Sequence, residues 1–129
     1  MAALLLLLIL YIGYLQNKSP TLKEEDLMIA DICAESERYV GNVVTLQGLF
    51  QGWKVVQCQF LEGIANTPRT RSDWLIRTGD DCVYVTGGMP EDFDPMNLEN
   101  IGLRIELEAK VMQDEDKKIY LAFRNSRRL

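Results

Sequence analysis

Val43-Val44-Thr45-Leu46-Gln47-Gly48-Leu49-Phe50-Gln51-Gly52 repeats with a period of two: Val44, Leu46, Gly48 and Phe50 fall on one side, Val43, Thr45 and Gln47 on the other. Successive side chains of an extended chain point to opposite faces, so the pattern predicts a strand with one face turned inward. Gly48 and Gly52 allow so long a strand to bend sharply, as a small closed barrel requires at its corners. Before Tyr39-Val40-Gly41 the apolar spacing is helix-like instead.

The period of two recurs downstream. Asp73 to Arg77 reads as a second strand, Thr78-Gly79-Asp80-Asp81 as a turn, and Cys82 to Thr86 as a third strand. Asp94 can cap a short helical turn with Pro95 at its first position, and Gly102 follows as a stop. Between Leu103 and Met112, Ile105, Leu107, Ala109 and Val111 fall inward and Arg104, Glu106, Glu108 and Lys110 outward. Gln113-Asp114-Glu115-Asp116 turns the chain, and Ile119, Leu121 and Phe123 supply the inward side of a fifth strand. A long bent first strand and a helical link after the third make this the layout of an OB-fold barrel. The expected class is mainly β: a five-stranded OB-fold-like barrel preceded by an N-terminal hydrophobic helix and a short polar helix.

That hydrophobic helix is read from MAALLLLLILYIGYL, residues 1–15, which carries no charged side chain and is broken by Gln16, Asn17, Lys18, Ser19 and Pro20. As a helix it spans roughly 22 Å, short of the roughly 30 Å hydrocarbon core. No Lys or Arg precedes it, and neither a small-residue cleavage site nor a lipobox-like Cys follows, so an uncleaved anchor is expected over a signal sequence or a buried soluble helix. Leu4, Leu5, Leu6, Leu7, Leu8, Ile9 and Leu10 would meet lipid or another membrane subunit, with Tyr11 and Tyr14 at the headgroup level. From Thr21 the chain becomes polar and helical: Thr21 caps, Glu24 stands three residues on, and Leu27, Ile29 and Ile32 begin an apolar face. Glu24, Glu25, Asp26, Asp31, Glu35 and Glu37 make the rest of it a solvated acidic face or a docking surface for a basic partner. The expected organisation is an anchor or signal segment at 1–16, a polar linker and short helix at 17–38, and the barrel at 39–129.

Composition narrows the chemistry. The chain has 129 residues, a net charge of -5, three cysteines and no histidine. Without histidine there is no Ser-His or Cys-His nucleophile pair and no ordinary zinc set. A pI near 4.7 disfavours binding to duplex phosphates, which depends on clustered Lys and Arg releasing counterions. No cofactor or metal is expected, and an enzyme is the least favoured class.

Tyr39-Val40-Gly41, Val44 to Gly48, Gly52-Trp53, Cys58, Thr70 to Trp74, Cys82 to Gly87 and Asn100-Ile101-Gly102 resemble the small OB-fold modules grouped as tRNA_anti-like. Such modules often sit behind a signal or membrane anchor in proteins of unknown role. The resemblance implies a fold and not an activity.

Three groups of residues are candidate sites. Cys58 follows the first strand and Cys82 opens the third. An oxidising compartment would favour a disulfide closing a loop of roughly 25 residues, worth about 3 kcal/mol in the chain-entropy model. The alternative is two half-buried thiols, with Cys33 a small core residue in either case. Arg69, Arg71 and Trp74, with Trp53, Lys54 and Arg77, set cations beside aromatic planes, the combination on which single-stranded nucleic acid stacks and pairs. The competing reading places Trp74 in the core and ties Arg71 to Asp73. Gly87-Gly88-Met89-Pro90 lacks the downstream Gly-Lys-Ser/Thr of a phosphate loop, and Asp80-Asp81 and Asp92/Asp94 read as solvated turn carboxylates. Lys117, Lys118, Arg124, Arg127 and Arg128 form a basic C-terminal stretch that could touch anionic lipid.

The function expected from these features is a non-catalytic, membrane-anchored OB module acting as an accessory subunit or protein-binding domain at the membrane surface. Its partners would be membrane lipid, through the first segment, and another protein or membrane complex. The alternative is a single-stranded nucleic-acid-binding OB domain, which the acidic charge disfavours. The haem-carrying OB proteins share the architecture but attach haem through a histidine absent here. Lys18 and Lys23 after the apolar run would hold the domain in the cytoplasm by the positive-inside bias, whereas a Cys58–Cys82 disulfide would place it on the extracytoplasmic face, the expectation adopted.

Overall fold

The computed structural model describes residues 27–129. Five strands, β1 (Val43–Gly52), β2 (Trp74–Thr78), β3 (Asp81–Thr86), β4 (Arg104–Gln113) and β5 (Ile119–Arg128), close into a barrel in the order β1-β2-β3-β5-β4. β1, β2 and β3 form an antiparallel meander, β4 pairs antiparallel with β1 and β5, and β5 meets β3 in parallel. The alternation read from β1 and β4 is the alternation observed: Leu46, Phe50, Ile105, Leu107, Ala109 and Val111 are fully buried. Each large apolar side chain so enclosed contributes roughly 1.5–3 kcal/mol before chain entropy is subtracted.

Both glycines of β1 sit where a side chain has no room. A Cβ on Gly48 would stand 2.8 Å from the Arg77 carbonyl oxygen and 2.9 Å from Ile76 Cγ1 of the neighbouring strand β2. Gly52 has φ +57, and the β1–β2 register slips between Phe50 and Gly52, which turns β1 from one side of the barrel to the other.

Two short helices, α1 (Ile29–Ala34) and α2 (Ser36–Tyr39), lead into β1. The Met28 amide donates to the Asp31 carboxylate at 2.8 Å, and the Ile29 amide donates to Thr78 Oγ1 at 2.9 Å, which fastens α1 to the end of β2. Leu27, Ile29, Ile32 and Tyr39 belong to the same apolar core as the strands, as the expected apolar face requires. Residues 1–16, and the Thr21 and Glu24 cap, lie outside the described residues. Among those described, no helix is long and apolar enough to cross a membrane.

The link between β3 and β4 differs from expectation: residues 87–103 contain no helix. Backbone bonds from Asn97 to Asp94 (3.1 Å), Asn100 to Asn97 (3.0 Å) and Ile101 to Leu98 (3.3 Å) close successive tight turns instead. Asp94 does accept the Met96 amide at 2.8 Å, but the Asn97 and Asn100 side chains take the neighbouring Glu99 and Asp94 amides, and such local bonds compete with helix propagation.

The barrel's narrowest join is between β3 and β5, where only Val85↔Leu121 and Thr86↔Ala122 are in register. The β1–β2 connection widens it. Gln59 bridges to Asp81 of β3 and Ile64 to Ile119 of β5, with Cys82 N to Gln59 O at 2.9 Å and Ile119 N to Gly63 O at 2.7 Å.

Candidate binding site

The same connection is covalently held. Cys58 and Cys82 form a disulfide with Cα atoms 5.4 Å apart, which resolves the two alternatives for these thiols. Leu75, Cys82 and Tyr84 on the outer face of β2 and β3 form an apolar cluster with Cys58 and Phe60, and the Phe60 and Tyr84 rings stack at 5.9 Å. Outward-facing side chains of β2 and β3 are thus buried by the chain itself. Cys33 is half-buried against the core, and burial first, then the Asp81 carboxylate, pushes its thiol upward.

Beside this covered face an open cleft of about 360 Å³ is lined by Trp53, Pro68, Thr70, Arg71, Asp73 and Tyr84. Asp73 is only 2 % exposed and shapes one wall: its carboxylate accepts the Arg69 amide at 2.7 Å, the Thr70 amide at 3.1 Å and the Thr70 hydroxyl. The tie between this loop and the barrel therefore runs through backbone amides rather than the Arg71 guanidinium, which stays exposed. Burial, and secondarily the Asp73 charge, raises the Tyr84 phenol and keeps it neutral at physiological pH.

The six residues expected on one partner face do not share it. Trp53 and Arg71 line the cleft, and Lys54 is exposed next to Trp53. Trp74 is removed from any such face: it is fully buried, packs 5.0 Å from Phe50, and donates its indole N–H to the Gly88 carbonyl at 2.7 Å. Arg69 lies over the Tyr120 ring at 4.5 Å, with Glu115 3.9 Å away. Arg77 lines a different groove and donates to the Gly79 carbonyl at 3.0 Å.

The sequence pointed to Trp53 but not to Val55, Val56, Met96 and Leu98, the rest of the apolar part of this surface. Trp53, Val55 and Val56 are 46, 54 and 59 % exposed, and Met96 and Leu98 are 70 and 73 % exposed. The Trp53 amide donates to the Pro95 carbonyl at 3.3 Å, which brings the two loops side by side. The available signal was apolar residues in stretches with no helix or strand period, where no core accounts for them. Compared with family models and with curated proteins, the chain matches none.

Proposed function

We propose that the barrel is an OB fold, and that it acts as a non-catalytic protein-binding module tethered at a membrane surface through its first residues. The observation that carries this reading is the apolar rim formed by Trp53, Val55, Val56, Met96 and Leu98 beside the Trp53–Tyr84 cleft. Exposed apolar side chains on two loops joined by the Trp53–Pro95 bond suit a protein surface, with the large aromatic as anchor. The strand order supports the OB assignment and, with it, the tRNA_anti-like resemblance. The Cys58–Cys82 bond supports an oxidising, extracytoplasmic location. The test is purification of the full chain from its native membrane in mild detergent. A partner polypeptide is expected to stay with the wild type and with Glu108→Ala, and to be lost with Trp53→Ala combined with Leu98→Ala; a lone monomer overturns the reading.

The co-location of Trp53 and Arg71 favours single-stranded nucleic acid as a second reading. It predicts binding of an unstructured oligonucleotide that weakens steeply with salt and is abolished by Arg71→Ala. No binding at low salt eliminates it.

A further inference from the structure

β5 has a strand on both sides only near its start. β3 pairs with Leu121 and Ala122, whereas β4 runs alongside from Ile119 to Arg128. Gly87, with φ +86, turns the chain away after Thr86, and the Phe123 ring fills the space a side chain on Gly88 would need. Phe123 to Arg128, about 20 Å of strand, therefore has one edge without a neighbouring strand among the described residues. The Leu129 amide donates to the Arg104 carbonyl at 3.0 Å. Main-chain groups alternate between the two sides of an antiparallel strand, so Arg127 and Asn125 also face β4, and Ser126 and Arg128 turn amide and carbonyl to the open edge. The Ser126 amide is met there at 2.9 Å by Oδ1 of Asn125, its own neighbour. No side chain among the described residues caps Arg128 in the same way.

Main-chain groups left open along a strand are a template for another strand, and the charge beside them selects it. Phe123 to Leu129 carries three arginines and no acidic side chain. Arg127 is paired with Glu106 at 3.0 Å, while Arg124 and Arg128 are exposed and in no ion pair among the described residues. A second copy of the chain fits badly: two-fold pairing centred on Ser126 sets Arg124 opposite Arg128, and like charges directly opposite destabilise a sheet. We propose that the open edge of β5 receives an extended acidic segment of a partner protein, which adds a strand beside Phe123–Arg128 and brings carboxylates to Arg124 and Arg128. Asn125 guards the edge until the incoming strand displaces its side chain from the Ser126 amide. None of these residues lines the Trp53 cleft, so the edge stands or falls apart from what that cleft binds.

The test uses the full chain in detergent micelles and a labelled hexapeptide of alternating Glu and Thr, blocked at both ends. Fluorescence anisotropy should show binding, and amide hydrogen exchange at Arg128 should slow about tenfold at saturating peptide. Methylating every peptide nitrogen should abolish binding, whereas methylating alternate nitrogens, which leaves one edge of the peptide intact, should not. Arg128→Glu should weaken binding about tenfold, and Asn125→Ala, which frees the Ser126 amide, should tighten it about fivefold. Equal binding of the fully methylated peptide overturns the proposal, because charge alone then holds it. So does the absence of binding at millimolar peptide, or a dimer of the chain that Arg128→Glu leaves intact and the peptide cannot displace. Slow exchange at Arg128 before any peptide is added overturns it as well, since the edge is then already paired.

Discussion

The two tryptophans show how the same side chain takes different work from its surroundings. Trp74 fills the barrel between Phe50 and the Gly88 carbonyl, so Trp74→Phe leaves both a gap and an unpaired acceptor. It should cost about 2 kcal/mol in urea titration followed by circular dichroism. Trp53→Ala should fall within about 0.5 kcal/mol of wild type in the same titration, because the side chain is half exposed and fills no core volume. Gly48→Ala forces β1 away from β2 and should cost about 1–3 kcal/mol. Asp81 offers a test with a sign. Burial and then the Asp80 charge raise its carboxyl above the ordinary value. Stability associated with its protonated form is complete below the unfolded value and is lost as pH rises through the folded one. Asp81→Asn should therefore melt higher than wild type at pH 7, by about 2 °C or less given solvent screening, and equally at pH 3.

Among the elements, the disulfide segment is the piece whose removal is most readily measured. It closes a loop with a sequence separation of 24, so Cys58→Ser with Cys82→Ser should cost about 3 kcal/mol in equilibrium unfolding. Fast exchange should then appear at the Ala65 and Ile119 amides, which hold this segment to β5. The strands it leans on were legible from sequence, since Leu46 and Phe50, or Ile105 and Leu107, can only alternate as they do if one face is inward. The segment itself was not. Gln59 and Ile64 join the sheet through single bridges, which leave no period to read, and the pairing of Cys58 depends on which strand lies over it. Asp94-Pro95 carried a true capping signal, yet the Asn97 and Asn100 side chains accept the Glu99 and Asp94 amides and no helix grew. Of the candidate face, Trp53 and Arg71 were readable as a pair. Trp74 was legible both as a face residue and as a core residue, and its full burial beside Phe50 decides for the core.

At the scale of the molecule, the strands do not make the core alone. Leu27, Ile29, Ile32 and Tyr39 lie within it, so a chain begun at residue 40 forfeits roughly 6 kcal/mol or more of burial, comparable with the whole stability of a small domain. Its thermal unfolding should lose cooperativity, whereas a chain begun at residue 27 should retain it. The seam between β3 and β5 has a further consequence for how the chain can change length. Residues 59–64 act as a splint whose two ends are fixed to different strands, so adding or deleting even one residue between Gln59 and Ile64 releases one end of the hoop. Asn66 and Thr67, ahead of the turn that Asp73 holds, are exposed and carry no bridge, and length variation in this connection belongs there.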